Sequence, residues 1–177
     1  EFRRVLFRSR YLVVMFFAFV ADSLLCYYLP ASLLKINLTI VPYGAVAMFV
    51  LLNNSIDNDH RTIFAVICGF YYSVIYGNSL FIYVVLYLLY ALFGKYYMKK
   101  ATFTYFQAFV IVLLTIFVQE CVLYSLMWIS NTTQLLVTTF LIKRLLPTLL
   151  FNAVMFNGVY YIHHKIKLEG DIDVYFS

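Results

Sequence analysis

Two acidic residues lie inside long apolar stretches of this 177-residue sequence. Ionisable groups in such stretches are candidates for a chemical role. Asp22 follows YLVVMFFAFVA, and Glu120 follows TIFVQ. An ionisable side chain in the hydrocarbon core of a membrane is costly enough to suggest a functional site. Lys143 and Arg144 approach the same predicted depth from the same side of the membrane. We therefore predict a hydrogen-bonded charge cluster that fixes helix packing or a partner interface.

Two other interpretations of the carboxylates stay open. Asp22 can be a polar residue near a helix end at the outer interface, with Glu120 neutral or reaching the interface through its flexible side chain. The second interpretation is that the two carboxylates belong to a proton or ion path. Such a path usually distributes carboxylates through the membrane depth, whereas only these two lie within the predicted spans.

The other reactive residue types favour structural roles. Cys26, Cys68 and Cys121 lie in apolar stretches without CxxC or Cys/His ligand spacing, so we expect neither a disulfide nor a metal site. His163 and His164 are adjacent, and neighbours on a helix point about 100° apart, which disfavours a shared metal ion. The sequence has no GxSxG, HExxH, phosphate-loop or dinucleotide-binding pattern, so we expect neither an enzyme nor a cofactor.

The composition is that of a membrane protein. Hydrophobic residues make up 64% of the chain and charged residues 12%, whereas soluble domains carry about 25% charged residues. Backbone amides have no water partners in hydrocarbon, so apolar runs must form helices or a closed barrel. Stretches such as FIYVVLYLLYALF are apolar on every side, unlike barrel strands. We predict an all-α, polytopic membrane helical bundle.

Six apolar runs are predicted to cross the membrane. Pro30 ends the first, and the turn at residues 77–79 separates the third from the fourth. Lys143, Arg144 and Pro147 interrupt the last apolar region, and proline lacks the amide donor of a helix interior, so we predict an interfacial or re-entrant segment at 135–144. The six predicted spans are residues 11–29, 38–52, 62–76, 80–93, 103–129 and 145–162. The alternative is five spans, with the short second and third runs forming one membrane-dipping hairpin.

Charge and position suggest how the chain is organised. Residues 1–9 resemble vector- or adaptor-derived sequence, residues 10–168 form a single transmembrane domain, and residues 169–177 are a short cytoplasmic tail. Without the charged residues of the first segment, the net charge falls from +5 to +3, which is too small to indicate nucleic-acid binding. Positive charges stay on the cytoplasmic side, so both termini are predicted to be cytoplasmic. That side would hold Arg10, Arg61, Lys95, Lys99, Lys100, Lys165 and Lys167, and the opposite loops Lys35 with Lys143 and Arg144.

Four short motifs between residues 11 and 167 resemble the MreD family, the small membrane subunit of the bacterial rod-shape machinery, or elongasome. They are Asp22-Ser23 in the first span, Val41-Pro42 at the start of the second, GFYYSVIYGNSLFIY at residues 69–83, and RLLPTLLFN at residues 144–152. The last motif is the most distinctive. Two positions depart from the family pattern, because Ser73 stands where an acidic residue is frequent and Phe81 where glycine is expected. Any role that relies on the acidic group is not carried over, and the chain resembles a divergent member.

The resemblance implies a non-enzymatic scaffold in the bacterial plasma membrane that regulates cell shape. It implies binding to the bitopic protein MreC and coupling of cytoplasmic MreB filaments to peptidoglycan synthesis outside. It also implies indirect contact with the RodA glycosyltransferase and its transpeptidase, and contact with membrane lipid. A homodimer is left open. The candidate packing or partner-interface residues are Asp22, Glu120, Lys143, Arg144, Pro147 and Asn152.

A substrate-binding S component of an energy-coupling-factor vitamin transporter is the alternative function. S components have a similar size and six helices, and the MreD family is thought to be similar to them in fold. They typically dock their transport subunit through a small-xxx-small face on the first helix. Ala18 and Ala21 do not have that spacing in this chain.

Overall fold

The computed structural model describes residues 2–28, 38–56, 58–76, 80–97 and 104–175. The secondary structure of these residues is helical, without a β-strand, which confirms the predicted all-α class. A π-helical turn, Leu141–Leu145, joins the short α6 to α7 without a break. The helices are α1 (Phe2–Tyr28), α2 (Gly44–Asn53), α3 (Asn58–Tyr76), α4 (Leu80–Tyr97), α5 (Tyr105–Ile129), α6 (Val137–Phe140) and α7 (Leu146–Tyr175).

Three helical stretches are long and apolar enough to cross a membrane. They are Arg10–Tyr28, Tyr105–Ile129 and Val137–Ile166, of 19, 25 and 30 residues. At 1.5 Å per residue, even the shortest covers about 28 Å, close to the hydrocarbon thickness of about 30 Å. Gly44–Asn53 and Phe81–Gly94 are shorter apolar helices. The chain is therefore a helical bundle with the composition and helix lengths of a membrane protein.

The predicted boundary between an interfacial segment at 135–144 and a span at 145–162 is wrong. The helix runs from Val137 through the π-helical turn into α7, so Lys143, Arg144 and Pro147 lie in one continuous rod. Pro147 cannot donate to the carbonyl of Lys143, four residues earlier. The amide of Thr39 donates to that carbonyl instead, with an N···O distance of 2.9 Å. The rod tolerates its proline because a different segment supplies the missing donor.

The predicted second span, 38–52, is also corrected. Residues 38–43 are not helical, and α2 begins only at Gly44. The ten residues of α2 are all buried, and they extend for about 15 Å, half of the hydrocarbon thickness. α2 packs against α1, α4, α5 and α7, so the core of the bundle forms around this half-length helix.

The predicted loop between the second and third spans, residues 53–61, is shorter in the structure because α3 begins at Asn58. Asn58–Arg61 form the first turn of α3 instead of a loop, and Arg61 is buried, with one guanidinium nitrogen donating to the carbonyl of Ile56. α4 continues to Tyr97, beyond the predicted end at residue 93. The predicted helix-ending Pro30, the turn at 77–79 and the basic residues Lys35, Lys99 and Lys100 lie outside the described residues.

The α3–α4 hairpin depends on a close approach at Gly69. A Cβ atom added there would lie 2.7 Å from the Cα of Val84, closer than real side chains come to backbone. Tyr72 of α3 lies against Tyr83 and Tyr87 of α4, with ring centroids 4.6 and 5.8 Å apart. Tyr87 in turn contacts Phe49 of α2 at 4.7 Å. The hairpin is thus fixed to the central helix by aromatic packing.

Candidate functional site

Residues 38–43 are not helical and lie along the α6–α7 rod, with the hydrogen-bond spacing of an extended chain. Alternate residues of an extended chain are about 6.6 Å apart, and one helical turn rises about 5.4 Å. Successive alternate amides can therefore reach acceptors about one turn apart on the rod. Three amides do so, from Thr39 to the Lys143 carbonyl (2.9 Å), from Val41 to the Thr148 hydroxyl (3.3 Å) and from Tyr43 to Oδ1 of Asn152 (2.7 Å).

Two carbonyl groups of the segment accept hydrogen bonds from the same two side chains. Nδ2 of Asn152 donates to the carbonyl of Val41 at 2.8 Å, and the Thr148 hydroxyl donates to that of Thr39 at 3.5 Å. Irregular backbone at membrane depth is tolerated only where protein partners replace water. Thr148 and Asn152 supply those partners, and both are buried.

The carboxylate of Asp22 binds the amino end of α2. Its two oxygens accept from the amides of Gly44 and Ala45, at 3.1 and 2.8 Å. Tyr43, the residue before α2, makes no capping hydrogen bond with its own side chain. The amino end of a helix carries exposed amide donors and partial positive charge. Asp22 of α1 therefore supplies the missing cap, and it is only 2% exposed.

Gly44 is required for that contact. A Cβ atom at this position would lie 2.8 Å from Oδ1 of Asp22 and 2.8 Å from the methyl carbon of Met155. A larger residue would force the carboxylate away from the amides it accepts from. The chain therefore places glycine where α1, α2 and α7 come closest.

Glu120 forms the second charged part of the site. Arg144 donates through Nε to Oε2 at 2.8 Å, and its second contact, from a terminal nitrogen to Oε1, is 3.4 Å. The Tyr43 hydroxyl donates to Oε1 at 2.6 Å. Glu120 is fully buried, whereas the Arg144 side chain is 28% exposed. A buried carboxylate is tolerated when it has a cation and further donors, as here.

The structure brings together four of the six predicted site residues. Asp22, Glu120 and Asn152 bond to residues 41–45, and Arg144 bonds to Glu120. Asp22 and Glu120 are linked through the consecutive residues Tyr43 and Gly44. The predicted single charge cluster thus has two parts. One is the Asp22 carboxylate at the amino end of α2, and the other is the Glu120–Arg144 ion pair. The exposed side chain of Lys143 stands apart, although its carbonyl joins the network. Pro147 contributes by leaving that carbonyl available.

Sequence reasoning missed Tyr43 and Thr148. Tyr43 is the centre of the network, since its amide and its hydroxyl both donate to other segments. A signal for Thr148 was present, because it lies four residues before Asn152 in an apolar helix, which puts both on one face. For Tyr43 the only signal was its place directly after Pro42.

A separate polar contact joins α4 to α5. The Tyr90 hydroxyl donates to Oε1 of Gln119 at 3.2 Å, and Gln119 is fully buried. No group of three or more potential metal ligands occurs among the described residues. The Tyr90–Gln119 contact thus joins two helices of the described chain.

Comparison of the chain with protein-family models, with curated proteins and with solved structures finds no match. The fold and the site together define an all-helical membrane protein whose central half-helix is held by a buried polar network.

Proposed function

We propose that the chain is a non-enzymatic membrane scaffold of the bacterial elongasome, similar to MreD, and that it binds MreC. The observation that supports this is the convergence of three motifs that carry the resemblance. Asp22 caps α2 three residues after Val41, and Asn152 bonds to the carbonyl of Val41. Motifs separated by more than one hundred residues thus meet in a single network.

The way the carboxylates are used favours a scaffold over a reactive centre. Both oxygens of Asp22 accept from backbone amides, and both oxygens of Glu120 accept from Arg144 or Tyr43. A carboxylate occupied in this way fixes the geometry of its neighbours. A rigid bundle can present a constant outer surface to partner helices.

We propose six membrane crossings, with both termini in the cytoplasm of a bacterial cell. The second crossing combines the extended residues 38–43, of about 20 Å, with α2, of about 15 Å, which together suffice for about 30 Å of hydrocarbon. α3 and α4 are the third and fourth crossings. The described cytoplasmic cations in this topology include the exposed Arg10 and Lys165, which would lie where MreB and anionic lipid are found. Arg61, on the same side, is buried.

In this proposal MreC is the direct partner. MreB filaments, RodA and its transpeptidase are coupled through the assembled complex, and a second copy of the chain is a further candidate partner. The function consists of joining a cytoplasmic filament to synthesis of peptidoglycan outside.

Capture of MreC from co-expressed membranes tests the proposal, beside a thermal-shift screen of the purified chain against B vitamins. We expect MreC capture, with Asp22→Ala and Glu120→Ala lowering both thermal stability and capture. Asn157→Ala is the control for loss of a polar contact outside the network, because Asn157 of α7 is exposed and bonds to the Tyr105 hydroxyl of α5. Vitamin stabilisation without MreC capture would favour an S component instead. If neither carboxylate variant altered stability or capture, the network would have no part in the scaffold.

A further inference from the structure

The guanidinium of Arg144 has more donors than its buried partners use. Arginine carries five N–H groups, and the contacts to Glu120 involve Nε and one terminal nitrogen. The Tyr43 hydroxyl also lies close enough to interact with the guanidinium. Because the Arg144 side chain is still 28% exposed, part of it, called here the exposed edge, is accessible from the exterior of the bundle.

Lys143, the preceding residue of the rod, has an exposed side chain with a second positive charge. Glu120 offsets one of the two positive charges, so the pair retains a net positive charge. Thr39, also exposed, is joined to Lys143 by the backbone hydrogen bond described above. A hydroxyl-bearing residue therefore accompanies the two cations.

The position along the rod places these cations near a membrane surface. Lys143 is six residues after Val137, where the candidate span begins, which corresponds to about 9 Å of helix. Side chains on a helix lean toward its amino end, and long cationic side chains extend toward the nearest interface. The Lys143 ammonium can therefore reach the surface next to Val137, whereas the Arg144 guanidinium is held beside Glu120.

The surroundings of the pair fit a lipid molecule. Ile142, Leu146 and Leu150 are exposed apolar side chains on the same rod. At the same end of the bundle, the exposed Trp128 closes α5, and Tyr124 stacks on Phe140 with ring centroids 4.1 Å apart. Tryptophan and tyrosine are enriched at the headgroup level of membranes.

We propose that Lys143 and the exposed edge of Arg144 bind the phosphate of an anionic phospholipid headgroup at this membrane surface. Guanidinium and ammonium groups are the usual ligands of phosphate oxygens. The acyl chains of the lipid lie along the exposed apolar side chains of the rod. This site is independent of the proposed scaffold function.

Quenching of Trp128 by brominated lipid tests the site, since Trp128 is the only tryptophan in the sequence. The full chain is placed in phosphatidylcholine vesicles that contain a minor fraction of either brominated phosphatidylglycerol or brominated phosphatidylcholine. A basic residue near an anionic surface favours binding about fivefold, so we expect phosphatidylglycerol to quench more strongly, with an enrichment of that order. Inorganic phosphate at constant ionic strength should not displace the lipid. Displacement would assign the site to free phosphate and overturn the lipid assignment.

Three variants separate the site from general charge effects. Lys143→Gln should remove the preference, and Lys143→Arg should keep it. Lys165→Gln changes an exposed lysine at the opposite end of the rod and should leave the quenching ratio unchanged. Retention of the preference in Lys143→Gln, or its equal loss in Lys165→Gln, would overturn the proposal. Absence of any preference in the unmodified chain would also overturn it.

Discussion

At the scale of residues, the two buried carboxylates are stabilised by different kinds of partner. Asp22 depends on the amides at a helix end, whereas Glu120 depends on a full positive charge and a hydroxyl. Loss of a helix cap typically costs about 1 kcal/mol. Loss of one partner of a buried ion pair costs about 3–5 kcal/mol, because the other charge is left uncompensated. Glu120 and Arg144 should therefore be the more sensitive positions.

The ion pair gives a prediction about additivity. Arg144→Gln should lower the free energy of unfolding by about 3 kcal/mol, since Glu120 remains buried without its cation. Glu120→Gln should lower it by a similar amount. The double variant should lose at least about 1 kcal/mol less than the sum of the two, because neither charge remains. Reversible unfolding in mixed detergent micelles measures all three, and strictly additive losses would contradict a direct interaction.

At the scale of elements, the central feature is a crossing that is extended in one part and helical in the other. The extended residues 38–43 have no neighbouring strand, and the rod replaces one with the side chains of Thr148 and Asn152. Each of these side chains accepts one hydrogen bond from the segment and donates another to it, and the two bonds of Asn152 are the shorter. The stability of residues 38–43 thus depends on the α6–α7 rod, whose contacting residues lie more than one hundred positions later in the sequence.

Asn152→Leu tests this dependence. Leucine has a similar volume but no polar atoms, so the Tyr43 amide and the Val41 carbonyl would be left buried and unpaired, at about 1–3 kcal/mol each. We expect a loss of stability of at least about 2 kcal/mol and faster hydrogen exchange at Tyr43. Asn157→Leu is the control, because Asn157 is exposed on the same rod and bonds to the Tyr105 hydroxyl of α5 instead of to residues 38–43. Equal effects of the two substitutions would show that the segment does not depend on Asn152.

The elements that could be predicted from sequence are those stabilised by their own composition. The long apolar runs that became α1, α5 and α7 needed only local hydropathy and helix periodicity. The extended residues 38–43 are equally apolar, and their conformation is determined by Thr148 and Asn152, which no local pattern connects to them. Pro147 is the opposite case, since the local rule for proline predicts a break that Thr39 makes unnecessary. Both predictions were wrong because contacts with distant segments determine the conformation at residues 38–43 and at Pro147.

The glycine contact in the α3–α4 hairpin allows a matched pair of substitutions. Gly69→Ala would place a methyl group 2.7 Å from backbone of α4, so the helices must separate. Overpacking of this kind costs about 1–3 kcal/mol. Gly158→Ala meets nothing within 4 Å and should be neutral or stabilising by up to about 1 kcal/mol. Thermal unfolding of the two variants gives the comparison, and an unaffected Gly69→Ala would mean that the close approach is dispensable.

At the scale of the whole molecule, the described helices differ in how much membrane they can cross alone. Three stretches are long enough by themselves, whereas α2 needs the extended segment, and α4 has a shorter apolar run. The buried position of α2 compensates for its length, because neighbouring helices cover it on every side. Whether the shorter elements cross determines where the two ends of the chain lie.

The side of the membrane that holds the carboxyl terminus therefore tests the architecture. Six crossings return the chain to its starting side, whereas three crossings, by α1, α5 and the α6–α7 rod alone, leave the termini on opposite sides. Five crossings would also separate them. We expect a carboxyl-terminal fluorescent-protein fusion to be bright and an alkaline phosphatase fusion at the same place to be inactive, as both report a cytoplasmic end. Phosphatase inserted after Asn131, between α5 and the rod, should be active. An active phosphatase at the carboxyl terminus would contradict six crossings and, with them, the role of residues 38–53 as a complete span.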